Sequence, residues 1–151
     1  MKLAQLKKGF TLIELLVVVG ILAILLAITL IAINPSRQFA QANNTKRSSD
    51  VNAVLNAVGQ YAADNNGALP TGITETPTAI SEAGVDICTA LVPTYIAALP
   101  VDPLTNNGAP ITDCTTVGYS TNYQISRSAT DNRITVSAPA AELSATISVT
   151  R

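Results

Sequence analysis

Lys7-Lys8-Gly9-Phe10-Thr11-Leu12-Ile13-Glu14 opens a stretch that stays apolar as far as Ile33. From Phe10 to Ile33 there are 24 residues and a single charge, Glu14. As a helix rising about 1.5 Å per residue, such a run would be about 36 Å long. That is enough to cross a hydrocarbon core of roughly 30 Å. The run is Ile, Leu, Val and Ala all round, with no polar stripe, so every face should be buried in lipid or in other helices. Two details separate it from an ordinary membrane anchor. A basic residue and a glycine, Lys8-Gly9, come just before it, and a carboxylate lies five residues in, where charge is expensive.

An ordinary secretory signal fits poorly. Its apolar region would be 7–15 residues long and end in a small-x-small cleavage site. Here the run is much longer and ends in Ala32-Ile33-Asn34-Pro35-Ser36. Lys2, Lys7 and Lys8 crowd the N-terminal side and predict a cytoplasmic N-terminus, a bias that Arg37, Lys46 and Arg47 on the far side weaken.

The residues Lys7–Val18, Lys-Lys-Gly-Phe-Thr-Leu-Ile-Glu-Leu-Leu-Val-Val, resemble the class III signal sequence of type IV pilins and pseudopilins almost residue for residue. The resemblance implies cleavage by a prepilin peptidase after Gly9 and N-methylation of the new first residue, Phe10. It also implies an assembly role for Glu14. Residues Asn34–Pro70 resemble the same proteins in pattern: Ile-Asn-Pro, then Arg-x-Ser-Asp-Val, then Gln-Tyr-x-x-Asp-Asn-x-Gly-x-x-Pro. The proline that many pilins carry inside the apolar segment would fall at Ile31; here it is displaced to Pro35, where a kink is expected.

Physical chemistry supports the role given to Glu14. A carboxylate unpaired in lipid would stay protonated or keep water with it. Cleavage frees an amine on Phe10 at matching depth. The two are poorly placed to pair within one helix, but staggered neighbours could bring them together. At about 4 Å and an effective dielectric near 20, the attraction is roughly 4 kcal/mol before desolvation is subtracted. That would favour a bundle over lipid and fix an axial register.

The sequence divides accordingly. Residues 1–9 are expected as a cytoplasmic leader peptide, 10–33 as a transmembrane and filament-core helix, 34–66 as an amphipathic continuation, and 67–151 as a globular head. In the continuation, Val51, Val54, Leu55, Val58, Tyr61 and Ala62 follow the three-four spacing of one helix face. Asn44, Lys46, Arg47, Asp50 and Asn52 are read as the opposite, polar face. Asn65-Asn66-Gly67 and Pro70 mark the stop. Residues 67–87, rich in Gly, Pro and Thr, read as a surface loop, and 88–99 as a short helical segment. Three strands follow by alternation: Tyr119, Thr121, Tyr123 and Ile125 on the first, Ile134 and Val136 on the second, Ala145, Ile147 and Val149 on the third. The expected class is α+β, with a long N-terminal helix packed on a small C-terminal antiparallel sheet.

Cys88 and Cys114 are the only cysteines, and outside the cytoplasm they would most simply form one disulfide. Closing that loop of 27 residues is worth roughly 3.5 kcal/mol on the chain-entropy model. Asp102, Asn106, Asn107 and Asp113 are weak candidates for a calcium loop, without the spacing of an EF-hand; no metal and no cofactor is expected. Asn43-Asn44-Thr45 is a glycosylation sequon on a helical stretch. The chain has no histidine and no recognisable pair of acids, so catalysis finds no support and no enzyme is expected. Tyr61, Tyr95, Tyr119 and Tyr123 are read as packing residues. After the leader, six basic residues face ten acidic ones, so nucleic acid is not an obligatory partner.

The expected function is that of a structural subunit of a type IV pilus filament. Its expected partners, by resemblance, are copies of itself in a helical filament, the prepilin peptidase, an assembly ATPase and an inner-membrane platform. Its expected location is the cytoplasmic membrane before assembly and the cell surface after it. A pseudopilin of type II secretion or a minor pilin is the nearest rival. Pro100-Val101-Asp102-Pro103 is similar to the Pro-x-Asp-Pro turn of major pseudopilins, without the tryptophan and glycine that often follow. A membrane-anchored binding domain that never polymerises is the rival from another class.

Overall fold

Thr11 starts the first helix, and Pro35 stops it from running into the second. The computed structural model describes residues 9–151, so Lys2, Lys7, Lys8 and most of the expected leader lie outside the described residues. Helix α1 spans Leu12–Ala32 and has no buried residue. At about 1.5 Å per residue it is about 31 Å long. It is long and apolar enough to cross a membrane. Ile33 and Asn34 interrupt the helical run, and α2 then spans Pro35–Asp64. The proline has no N–H, and its ring collides with the carbonyl four residues back, so a helix cannot pass through undisturbed. At the first position of a new helix the same ring fits. The side chain of Asn34 caps the start of α2, accepting from the Ser36 hydroxyl at 2.7 Å and the Arg37 N–H at 3.3 Å.

The chain divides after Gln38 into two compact units. In the second, the remainder of α2 is built together with a four-stranded antiparallel sheet in the order β1-β2-β3-β4. The strands are β1 Thr78–Ser81, β2 Ser120–Arg127, β3 Ile134–Ser137 and β4 Ser148–Thr150. The architecture is α+β, as the sequence predicts. Val51, Val54, Leu55, Ala57 and Val58 of α2 join Ile80, Ile87, Leu91, Leu99, Tyr123, Ile125 and Val136 in one core. Helix α2 ends at the expected signal: Asn66 and Gly67 take positive φ, and the Gly67 N–H returns to the Ala62 carbonyl at 2.7 Å.

Residues 67–87 are not a plain surface loop. They contain β1 and place Ile73, Ile80, Val85 and Ile87 in the core. Strand β1 is four residues long with one fully buried side chain, Ile80, too little for alternation to reveal it. Pairing with β2 and a hydrogen bond from the Thr121 hydroxyl to the Ile80 carbonyl at 2.9 Å hold it. The turn that follows needs Gly84, where any Cβ would collide with the Ala79 carbonyl. The segment 88–99 is helical only over Cys88–Leu91, which forms α3. Beyond Pro93 it turns, then bridges Leu99 to Ile111.

Candidate functional site

The N-terminal segment owes its geometry to Thr11 and Glu14. Thr11 is extended, with φ −80° and ψ 153°, and stands just before the first turn of α1. Its hydroxyl accepts from the Glu14 N–H at 3.2 Å. Glu14 replies through Oε2, which accepts from the Thr11 N–H at 2.7 Å and the Thr11 hydroxyl at 2.7 Å. This is a capping box, which satisfies two helix-end donors that would otherwise go unpaired. The carboxylate also lies at the positive end of the helix dipole. Both partners lie downstream of the Gly9–Phe10 bond, so cutting that bond leaves the box whole. Gly9 and Phe10 are exposed, Phe10 by 85%. Oε1 of Glu14 accepts no hydrogen bond among the described residues, so it is available to a cation from outside the helix.

Further along α1, the Thr29 hydroxyl donates to the Leu26 carbonyl at 2.9 Å. The hydroxyl donor of that side chain is satisfied within its own helix.

In the second unit a buried ion pair stands where an exposed helix face was expected. Arg47 and Asp102 are both fully buried. Nε of Arg47 donates to Oδ2 of Asp102 at 2.6 Å, and Nη2 to Oδ1 at 3.2 Å. Nη1 donates to Glu142 Oε2 at 2.8 Å and Asn44 Oδ1 at 3.0 Å. Asn43 also donates to Glu142 Oε2, at 2.9 Å. Asn44 exchanges hydrogen bonds with the Glu142 backbone at 2.7 and 2.9 Å. Beside this group, the Tyr123 hydroxyl and Lys46 converge on Asp50 Oδ2 at 2.7 and 2.8 Å. The Arg47 hydrogen bond, then that of Asn43, hold the Glu142 carboxyl below its ordinary range. Desolvation, then the bond to Asp86, pushes the Tyr119 phenol up; desolvation and Asp50 do the same to Tyr123. The reading of Asn44, Lys46, Arg47, Asp50 and Asn52 as the opposite, polar face is thus corrected at Arg47, which is buried, while Asn44, Asp50 and Asn52 are half-buried and Lys46 is exposed. Arg47 lies four residues before Val51, on the same stripe as Val54, Leu55 and Val58, and that spacing was the available signal.

The residues weighed for calcium are otherwise engaged. Asp102 accepts from Arg47 with both oxygens and from the Leu104 N–H at 3.0 Å. Asn106 and Asn107 form a tight turn at positive φ. The Asp113 carboxylate accepts from the Thr115 N–H and hydroxyl at 2.9 and 2.7 Å. Among the described residues no group of three or more acidic, histidine or cysteine side chains is poised to hold a metal. Cys88 and Cys114 are joined in a disulfide, with Cα atoms 5.5 Å apart. Tyr61 and Tyr95 pack edge to face, with centroids 5.6 Å apart. The sequon residue Asn43 is half-buried, its amide turned to Glu142.

Residues 5–30 match the family model of the prokaryotic N-terminal methylation motif. The chain therefore carries the class III signal sequence that marks type IV pilins and pseudopilins. No curated protein and no solved structure matches the chain. The motif implies processing by a prepilin peptidase and pilus-type assembly. Together with the membrane-capable α1, it suggests membrane anchoring.

Proposed function

We propose that this chain is a structural subunit of a type IV pilus filament. In this reading it is cut after Gly9, methylated at Phe10, and assembled through α1. The observation that carries it is the coincidence of the methylation motif at residues 5–30 with an entirely exposed apolar helix whose one charge is Glu14. A helix apolar on all faces needs lipid before assembly and other helices after it. The capping box already neutralises the helix start. Glu14 then has one oxygen left for the Phe10 amine of a neighbouring subunit, and that pairing sets the register. The leader, residues 1–9, stays on the cytoplasmic side until cleavage. The remaining chain serves as head, outside the membrane, where the Cys88–Cys114 disulfide persists. The subunit's assistants in this reading are the prepilin peptidase, an assembly ATPase and a membrane platform.

A pseudopilin or minor pilin is the second reading, favoured by the Pro-x-Asp-Pro sequence at Pro100–Pro103. The test of the shared mechanism is Glu14→Ala in cells. A filament subunit loses surface fibres while its head still folds. A non-polymerising anchored domain keeps the same surface display.

A further inference from the structure

The second unit contains a groove of about 620 Å³, between the C-terminal half of α2, the 67–73 segment and the end of the sheet. That size falls in the range of small-molecule sites. Its apolar walls include Leu55, Val58, Ile73 and Ile134. Arg127 and Arg151 are among the residues that line it, and no Asp or Glu is. This runs against the charge of a chain in which acidic residues outnumber basic ones after the leader. Lys46 and Arg47 are neutralised by carboxylates. Arg127 has no such partner: its Nε is buried and, among the described residues, has no hydrogen-bond acceptor. Leaving a buried donor unpaired is costly, more so in a charged group.

Gly59 adds an independent observation. Glycine inside a helix is disfavoured relative to alanine. A Cβ at Gly59 would meet nothing within 4 Å, so packing does not demand glycine there. Gly59 is exposed and lines the groove, where a longer side chain has room to extend.

The geometry points to a binding site for a small amphipathic carboxylate, its anionic head on Arg127 and Arg151 and its hydrocarbon part against Ala62, Ala68 and Leu69. A planar guanidinium suits a carboxylate in two-point contact. Arg151 already donates to Asn56 at 2.6 Å, which orients one side of its fork. This site is independent of the filament reading and of α1.

The probe is hexanoate, titrated into the full chain in a non-ionic detergent, with the amide resonances of Gly59, Gly67 and Gly72 as reporters. 1-Hexanol serves as the uncharged control. For so small a ligand the expected Kd is about 1 mM. Saturable shifts are expected with hexanoate and not with 1-hexanol. Arg127→Gln should weaken binding by about tenfold or more, the scale of a lost charged hydrogen bond. Gly59→Leu should abolish it by filling the groove. The amide spectrum reports whether each variant is folded, and either folded variant suffices. Equal shifts with 1-hexanol, or undiminished binding in a folded variant, would overturn the proposal. So would shifts that follow protein concentration but not hexanoate, which would mean that an acidic segment of a second copy fills the groove.

Discussion

Arg47 and Asp102, 55 positions apart in sequence, meet fully buried at 2.6 Å and tie α2 to the segment between α3 and β2. The pair is the reason the polar half of α2 cannot be peeled from the head without exposing an unsatisfied charge. Removing one partner leaves the other buried and alone, at a cost of about 3–5 kcal/mol. Arg47→Met should therefore lower unfolding stability in denaturant by roughly that amount. The double variant Arg47→Met/Asp102→Leu should recover part of the loss, because the buried Asp102 charge is gone while Glu142 still lacks its Arg47 partner. A double variant as weak as the single one would argue that the packing of Arg47, and not its charge, matters.

The neighbouring Glu142 makes the head sensitive to acid. Its folded pKa lies below the ordinary value, chiefly through Arg47. A group shifted down contributes stability that is fully present above its unfolded pKa, about 4.3 for glutamate. That contribution is lost as pH falls through the folded value. Thermal melts from pH 7 downward should show Tm falling below about pH 4.5. In Glu142→Gln the same fall should be shallower, with the neutral-pH Tm already reduced. An unchanged slope would remove Glu142 from the account.

The disulfide closes a connection that contains little regular structure. Between β1 and β2 the chain forms only α3, one 3-10 turn at Asn106–Gly108 and the Leu99–Ile111 bridge. Replacing Cys88 and Cys114 by serine should cost roughly 3.5 kcal/mol on the chain-entropy model. Hydrogen exchange should quicken first between residues 88 and 114. A uniform rise across the whole head would instead mean that the bond stabilises through the core.

Ile125 is fully buried between α2 and the sheet. Truncation to alanine should cost about 2–5 kcal/mol. Thr11→Val, by contrast, should leave the head's melting unaltered, because its capping box belongs to α1. It should cost about 1 kcal/mol of helix-start stability, seen as faster exchange of the first-turn amides.

How far the sequence could be read followed the range of the interactions. Local signals were plain. Asn34-Pro35 marks the helix break, Asn65-Asn66-Gly67 the helix end, and β2 and β3 alternate clearly. Strand β1 escaped because its four residues bury one side chain and exist only by pairing with β2, 39 or more residues later. Arg47 escaped because a charge on a helix is usually solvated, and its acceptor Asp102 lies far away in the chain. At the N-terminus, the motif picked out Glu14 as a residue for assembly, while its capping partnership with Thr11 emerged from the hydrogen bonds. The groove around Gly59 and Arg127 left no sequence signal beyond an unexplained helical glycine.

The central claim is that the chain is cut after Gly9 and polymerises through α1. Its most direct test is mass spectrometry of material sheared from the cell surface, reading the N-terminal peptide of high-molecular-weight fibres. The account predicts a peptide that begins at a methylated Phe10. A chain that still begins at Met1 and stays wholly in the membrane fraction would contradict it.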